Sequence, residues 1–592
     1  MRATTLAATL VALAACVGND ADATSIKPAP THGTSGVYYV DMTNGRDGGS
    51  GTQSSPWRTV EHARDAIRPA LATATAEVLV QVAPGTEWLT SAIEFADADS
   101  GPDASYVRYH CTTIGGCHVN GGYVFDTSGC TVYSGAIYRC PYAGDHFYTM
   151  WEDGVRVPMA RSPSRIVDAT YPMSQTPYFN SVDPGDSATR VYYATADWLT
   201  VNPALDFSQM QVVVWPGSNG ISWLQDTIPV TGINAISHYL ILGGTMLLNV
   251  GRSRYYVQGD LQFLDAAGEW YPDVANHYLY YRPTSGTPSQ HQIVIPTVNS
   301  AISFVGSSAT AVAKNIAFDG FTFDYSNAPR IFESDPSYNP SNRMFSQVFM
   351  QNAANIKIIN SRIRNSGLHG VYMHSAVTFS RVEKTEVSHT AGFGVWIENQ
   401  TTTSPDIGDV NGWNVVTNIK ILNVGELYEG CDGLQIRNSG HNLVDHIYLQ
   451  DGPRAAINIY GDQSQSASFA KSYAIGNVVQ YSRAYRFMQD SNDNGCFYTA
   501  LTTHNENRWN QLSCDLVQPN ATVATNLPVK GLYIDEQADN ALVSHVNATN
   551  TKDGGFFNHS FGTVAPINVN GAGTFDPALM DPSIGVTADY PW

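Results

Sequence analysis

Between residues 370 and 558 one short strand keeps returning. It opens on glycine or alanine and continues apolar: Gly370-Val371-Tyr372-Met373, Gly394-Val395-Trp396-Ile397, Gly433-Leu434-Gln435-Ile436, Ala456-Ile457-Asn458-Ile459, Gly495-Cys496-Phe497-Tyr498, Gly531-Leu532-Tyr533-Ile534 and Gly555-Phe556-Phe557-Asn558. Successive starts lie 24, 39, 23, 39, 36 and 24 residues apart. The short intervals fit one coil of a solenoid. The long ones fit one coil carrying a loop of about a dozen residues, and such loops gather on one face, often the binding face. A β-sandwich also supplies many short strands, but it gives no reason for one register to return at nearly quantised spacing. In a solenoid each coil presents the same side chains inward, because strand side chains alternate and rungs stack ~4.8 Å apart. The pattern predicts an all-β parallel β-helix, with its main body over residues 301–592.

The first 150 residues fit the entry to the same solenoid. Val37 to Asp41 reads as a strand, Gly48-Gly49-Ser50-Gly51 and Pro56 as turns, and Val78 to Val82 as a second strand. Thr59 to Ile67 places Val60, Ala63, Ala66 and Ile67 on one helical face behind an N-cap threonine. An open solenoid end needs covering, and this helix is the expected N-terminal cap. Residues 37–150 are thus assigned to the β-helix entry. Residues 151–300 break the period and read as a β-rich insertion or side domain.

The amino terminus carries an export pattern. A charged Met1-Arg2 precedes an apolar, small-residue run from Leu6 to Ala15, too short to span a bilayer. Residues 1–15 are read as a signal peptide. Leu13-Ala14-Ala15-Cys16 resembles a lipobox, so Cys16 is expected to be lipidated and residues 16–36 to form a polar tether. An ordinary signal peptide with a chance cysteine is the competing reading. Exported chains oxidise their cysteines. Cys111/Cys117, Cys130/Cys140 and Cys496/Cys514 are close enough in sequence to pair, leaving Cys431 as the expected free thiol. No Cys or His cluster has zinc spacing, so no metal or cofactor is expected.

The net charge of −20 lacks the basic stripe of a nucleic-acid-binding protein. Only 14% of residues are charged, whereas Tyr (32) and Trp (11) are abundant. That composition suits many short strands and offers aromatic faces to sugar rings, although Tyr-rich cores are also common. Two columns then stand out along the repeat. The second residue after each opening Gly or Ala gives Tyr372, Trp396, Gln435, Asn458, Phe497, Tyr533 and Phe557. The fourth gives His374, Glu398, Arg437, Tyr460, Thr499, Asp535 and His559. Both columns share one face. The stripe is polar and aromatic, as expected of a binding groove; a solvated sheet face is the plainer alternative.

Several segments carry a family resemblance. Tyr39-Val40-Asp41 with Gly51-Thr52, Pro56-Trp57-Arg58-Thr59-Val60 and Pro84-Gly85-Thr86 resemble the entry of right-handed parallel β-helix carbohydrate-active enzymes. Asp153-Gly154 through Met159-Ala160-Arg161-Ser162-Pro163 points to one subset. So do Gly268-Glu269-Trp270-Tyr271-Pro272-Asp273 with Leu279-Tyr280-Tyr281-Arg282-Pro283, and Asp493-Asn494-Gly495-Cys496-Phe497-Tyr498 with Gly531-Leu532-Tyr533-Ile534-Asp535-Glu536. That subset is similar to glycoside hydrolase family 141, which includes α-L-fucosidases and a xylanase. The resemblance implies two catalytic aspartates, at Asp493 and Asp535, and a retaining reaction. The usual Asp-Asp pair is Asp535-Glu536 here.

Glycoside hydrolysis needs two carboxyl groups flanking the bond. Asp493 precedes Gly495 by two and Asp535 follows Gly531 by four, so a straight strand holds them about 20 Å apart. They meet only if the chain bends at Asn492-Asp493-Asn494-Gly495, residues that favour turns; an Asx-turn cap is the other role open to Asp493. Asp535 is assigned as nucleophile and Asp493 as acid/base, with the reverse also open. His374, Trp396, Glu398, Asp432, Arg437, Tyr460, Tyr533 and Glu536 are assigned to substrate binding, with Glu536 expected on the opposite side of its strand and simple ion pairing the alternative for His374 and Arg437. The expected partner is a polysaccharide or oligosaccharide; no nucleic acid is expected, membrane contact is expected only through Cys16, and the chain is expected to be a monomer. Two other functions stay open: a polysaccharide lyase on the same fold, marked by an unsaturated uronate product, and a non-catalytic glycan-binding surface protein.

Overall fold

The computed structural model describes residues 34–592 apart from 104, 170–171, 183–186, 195–204, 218–221, 249–250, 333–344, 400–410, 462–472, 503, 509, 514–528, 537, 540, 550–553, 561–563 and 574–583. Cys16, the export signal and most of the tether lie outside the described residues, as does Cys514. So do parts of the long coils.

The chain winds into a parallel β-helix with three faces. One face runs through Val107–Cys111, Ala313–Asp319, Ala353–Ile359, Arg381–Glu383, Val415–Thr417, Leu443–Asp445, Val478–Gln480 and Glu506–Arg508. The second runs through Cys117–Asn120, Phe321–Asp324, Arg362–Arg364, Glu386–Ser388, Lys420–Leu422, Tyr448–Gln450, Arg483–Tyr485 and Gln511–Ser513. The third is a ten-stranded sheet that includes His369–His374, Val395–Glu398, Leu434–Arg437, Ile457–Tyr460, Asn494–Ala500, Val529–Ile534 and Phe556–Asn558. The interior is a stack of aliphatics without measurable exposure: Val382, Val416, Val444 and Val479 from the first face, Val387, Ile421 and Leu449 from the second, Val395, Leu434 and Ile457 from the third.

The corners explain the turn-rich composition. Between the first two faces the backbone turns through left-handed residues at Asn360, Lys384, Asn418, His446 and Tyr481. Asparagine tolerates that conformation better than most side chains. Buried asparagines also tie rung to rung: the backbone N–H of Asn414, Asn442 and Asn477 each donates to the side-chain oxygen of Asn442, Asn477 and Asn505, at 3.1, 3.0 and 2.8 Å.

The entry glycines are steric. A Cβ at Gly394 would lie 2.6 Å from the Gly433 carbonyl oxygen and 2.5 Å from Ile421. The same place on later rungs is held by Ala456, Cys496 and Gly531, and there the expected register slips by one. Asn458 pairs with Tyr498, and Tyr498 with Tyr533. The small residue of that rung is Cys496, not Gly495. Tyr498 therefore replaces Phe497 in the outward column, while Phe497 joins the core.

The capping helix spans Val60–Leu71; its N-cap Thr59 accepts from the His62 N–H, and Val60, Ala63, Ile67 and Leu71 lie against the first coils. The side domain is a set of antiparallel sheets that begins at Gly122–Val124, before the expected start at 151, and ends at Ile293–Pro296. It has its own cores around Val212, Val230 and Tyr255 and around Trp270 and Leu279. Cys111–Cys117 and Cys130–Cys140 are bonded, Cys496 is also disulfide-bonded, and Cys431 is free and buried. Among the described residues no helix is long and apolar enough to cross a membrane.

Candidate active site

The outward face of the ten-stranded sheet divides in two. On the earlier rungs the expected open stripe is closed over. Tyr372 and Trp396 stack at 4.2 Å inside an apolar cluster with Phe349, Phe393 and Tyr428, and neither is more than 1% exposed. His374 and Glu398 are buried beside them; the Tyr372 hydroxyl donates to Glu398, and His374 Nδ1 lies 3.3 Å from the same oxygen. These bonds and the charge of Arg437 hold the Glu398 carboxyl below its ordinary value despite burial. Trp396, His374 and Glu398 thus do not line an open groove: large aromatics stacked on neighbouring rungs pack as core once another layer covers them. Arg437 is nearly buried, with its guanidinium 5.7 Å from the Tyr460 ring.

Asp432 is fully buried as well. Arg454 Nη1 donates to both its oxygens at 2.9 and 2.8 Å, and Gln435, Asn458 and the Ala455 N–H supply three more bonds. Burial still pushes its carboxyl up. Asp432 therefore anchors Arg454 rather than facing a substrate, which corrects the expectation for this residue.

The later rungs open. The strand Asn494–Ala500 pairs in continuous register through Gly495, where a Cβ would lie 2.7 Å from the Phe497 carbonyl oxygen and 2.9 Å from Tyr533 Cβ. The chain bends just before the strand, at Asp493, which takes the left-handed conformation at φ 51°. The bend carries Asp493 into electrostatic reach of Asp535: burial first, and then the Asp535 charge, push the Asp493 carboxyl up, with His559 opposing and Glu536 adding to the rise. Asp535 sits at the end of Val529–Ile534. Its Oδ2 accepts from the Tyr498 hydroxyl at 2.7 Å, and its Oδ1 lies 2.8 Å from His559 Nδ1. Tyr533 packs edge-on against Tyr498 at 5.4 Å. Glu536 is exposed and acts on both Asp493 and His559, so it belongs to the acidic cluster instead of turning away from it.

Tyr498, Arg454 and the partnership of Asp535 with His559 were not anticipated. A partial signal for Tyr498 was present: two small residues, Gly495 and Cys496, open its rung, and either could take the place of Ala456 and Gly531. The side domain leaves no such signal. It docks on the turns before Asp432 and before Asp493, through Gln225 Nε2 to the Leu427 carbonyl (3.1 Å), Gln225 Oε1 from the Glu429 N–H (2.8 Å) and the Ser222 N–H to Asn492 Oδ1 (3.0 Å). At its centre Arg254 bonds Asp490 Oδ1 at 2.7 Å and lies 3.5 Å from Glu429. Arg254, Asp490 and Glu429 are at most 3% exposed. Burial and the neighbouring Asp490 push the Glu429 carboxyl far up, and the two acids face one guanidinium.

Among the described residues, one group has the types and spacing of a cation site: Glu152, Asp153 and His291 in the side domain, with one ligand atom from each within 4.8 Å of the others. Their atoms are already engaged, Glu152 by Tyr281 and Thr284 and Asp153 by His291 and the Gln292 N–H.

No family model matches the sequence, and no curated protein does. Solved structures do. A chain described as "Glycoside hydrolase" superposes with a TM-score of 0.75 at 16% identity, covering 94% of this chain and all of that one. A structure described as "The complex structure of XylC with xylose" reaches 0.45 at 12% identity over 88% of this chain and 71% of the other. A GH136 lacto-N-biosidase from Eubacterium ramulus reaches 0.31 at 8% identity, over 90% of this chain and 68% of that one. The first likeness shows that the whole architecture, side domain included, is that of a known β-helix fold.

Proposed function

We propose that this chain is a glycoside hydrolase acting on a polysaccharide or its oligosaccharides, with Asp493 as the general acid/base and Asp535 as the nucleophile. The observation that carries the reading is the opposed environment of two carboxyls at one open place. Asp493 is half-buried, and burial and the Asp535 charge push its carboxyl up, whereas Asp535 accepts hydrogen bonds on both oxygens and is held in place by them. Two carboxyls in such different surroundings suit an acid and a nucleophile in one site.

In the first step Asp535 attacks the anomeric carbon while Asp493 gives its proton to the leaving oxygen. A glycosyl ester forms on Asp535 and the glycosidic bond breaks. Asp493, now ionised, takes a proton from water, and that water cleaves the ester with net retention. Tyr460 and Glu536 are left to contact sugar beside the two acids, with Arg437 at the edge of the floor, while Tyr533 is buried and packs against Tyr498 and Phe557. The likeness to a structure described as a glycoside hydrolase, the motifs that resemble family 141 and the β-helix floor all support the hydrolase class; fucosyl and xylosyl linkages are the first to test.

The test is release of reducing ends from a panel of plant and algal glycans by the wild type and by Asp535→Asn. Release by the wild type alone supports the reading. Equal release by the variant sinks the site assignment, and an unsaturated uronate product sinks the hydrolase class in favour of a lyase. We also infer export, supported by the two described disulfide bridges, which persist in oxidising compartments. Radiolabelled palmitate on the wild type but not on Cys16→Ser tests the lipid anchor.

A further inference from the structure

We propose that Tyr498 and His559 are the positioning residues of Asp535, each fixing one of its two oxygens. The inference rests on the hydrolase reading above.

The geometry is a three-rung clamp. Tyr498, Asp535 and His559 lie on consecutive coils of the ten-stranded sheet, since Tyr498 pairs with Tyr533 and Ile534 with Asn558. Tyr498 reaches Oδ2 from one side and His559 reaches Oδ1 from the other, at 2.7 and 2.8 Å. A carboxylate offers about four lone-pair sites, so two bonds from opposite sides leave the remaining ones facing outward, where a sugar would lie. Both donors are themselves held. The Tyr498 ring meets Tyr533 edge-on at 5.4 Å, and its hydroxyl feels the Arg454 cation that Asp432 anchors. The His559 ring stacks on Phe557 at 5.9 Å and 13°, and Phe557 packs against Tyr533 at 5.0 Å.

The charges facing His559 are Asp535, Glu536 and Asp493, all acidic, and all favour the imidazolium. Those facing Tyr498 are Asp535, Tyr460 and Arg454. The His559 arm adds little to the fold, because its side chain is 48% exposed and an exposed ion pair is weak. The two-point hold on Asp535 has a chemical use, because a displaced attacking atom costs turnover steeply: ~1 Å of misplacement costs about 100-fold.

His559→Gln keeps a side chain able to donate but removes the charge, and Tyr498→Phe removes one donor without changing the ring. With the 4-nitrophenyl glycoside that the wild type cleaves fastest, both are expected to lower kcat by about 10–100-fold with KM little changed. Independently of substrate, the Cε1–H resonance of His559 in the wild-type chain is expected to titrate above an ordinary histidine, and to fall back in Asp535→Asn. Wild-type kcat in His559→Gln, or a His559 titration unchanged by Asp535→Asn, overturns the clamp. Turnover retained by Asp535→Asn overturns the hydrolase assignment instead, whatever His559 does. If no glycoside is cleaved, the titration decides the clamp alone.

Discussion

Two pairs of acids lie within one stretch of the β-helix, and their surroundings give them opposite work. Glu429 and Asp490 meet under the side domain, around one arginine, with no more than 3% exposure. Asp493, three residues after Asp490, lies within electrostatic reach of Asp535, which is 16% exposed, and Glu536 and His559 beside them reach water. In the closed pair burial and Asp490 push the Glu429 carboxyl up where no ligand can reach it. In the open pair burial and Asp535 push the Asp493 carboxyl up beside exposed side chains that a ligand can reach. Proximity of two carboxyls is therefore a poor mark of catalysis by itself; access and a separate set of donors for one of the two make the difference.

The comparison breaks most sharply by amide substitution. Asp535→Asn is expected to reduce turnover by about a thousandfold or more, the scale lost with a catalytic nucleophile. Asp493→Asn is expected to lose less on an aryl glycoside, whose leaving group needs little protonation, than on a native glycan. The two assays run side by side assign the roles, and an equal loss on both substrates contradicts Asp493 as the acid.

The closed pair fails through the fold instead. Arg254→Met strands Asp490 as a buried charge, and breaking such a pair costs about 3–5 kcal/mol. Urea denaturation would register this as an early transition of the side domain or of the whole chain. The double variant Arg254→Met/Asp490→Leu is expected to recover part of the loss, because no unpaired charge remains. A single variant as stable as the wild type shows that the seam is held by its neutral hydrogen bonds alone.

A smaller effect separates the pairs by pH. Asp493 must hold its proton to act as acid, so activity falls as pH rises through its raised value. Glu536 is one of the charges that raise it. Glu536→Gln is therefore expected to move the alkaline limb of kcat/KM to lower pH, leaving the acidic limb in place. A limb that stays where it was, or moves upward, removes Glu536 from the cluster.

How much of this the sequence disclosed depended on whether the signal was local. The β-helix was legible because its constraint repeats: small residues such as Gly394 and Gly433 are demanded wherever a Cβ meets the carbonyl of the next rung. The bend at Asp493 was legible from the turn residues around it for the same local reason. The register of that rung was not, because two small residues, Gly495 and Cys496, stand side by side and only Cys496 takes the place of Ala456 and Gly531 in the stack. Nor was the closing of the stripe at Trp396 and Glu398. An aromatic column reads alike whether sugar or protein covers it, and the cover depends on contacts far away in the chain. Gln225 and Arg254 hold the turns that carry the acids, yet nothing near them in sequence points there.

The smallest expected effect tests the raised carboxyl of the closed pair. Glu429 is raised by burial and by Asp490, so the folded state binds its proton more tightly than the unfolded chain. The stability tied to it is present below the ordinary value of 4.5 and is lost as pH rises through the raised one. Gln carries no such proton and nearly the same shape. Glu429→Gln is therefore expected to lie within about 1 kcal/mol of the wild type at acid pH, where both side chains are neutral hydrogen-bonding groups. Its advantage should then grow as pH is raised toward neutrality and beyond, since only the wild type must bury a charge or keep a costly proton. Parallel denaturation curves at every pH would contradict a raised Glu429. The same substitution leaves Asp493 and Asp535 their partners, so turnover should follow the wild-type profile while stability departs from it.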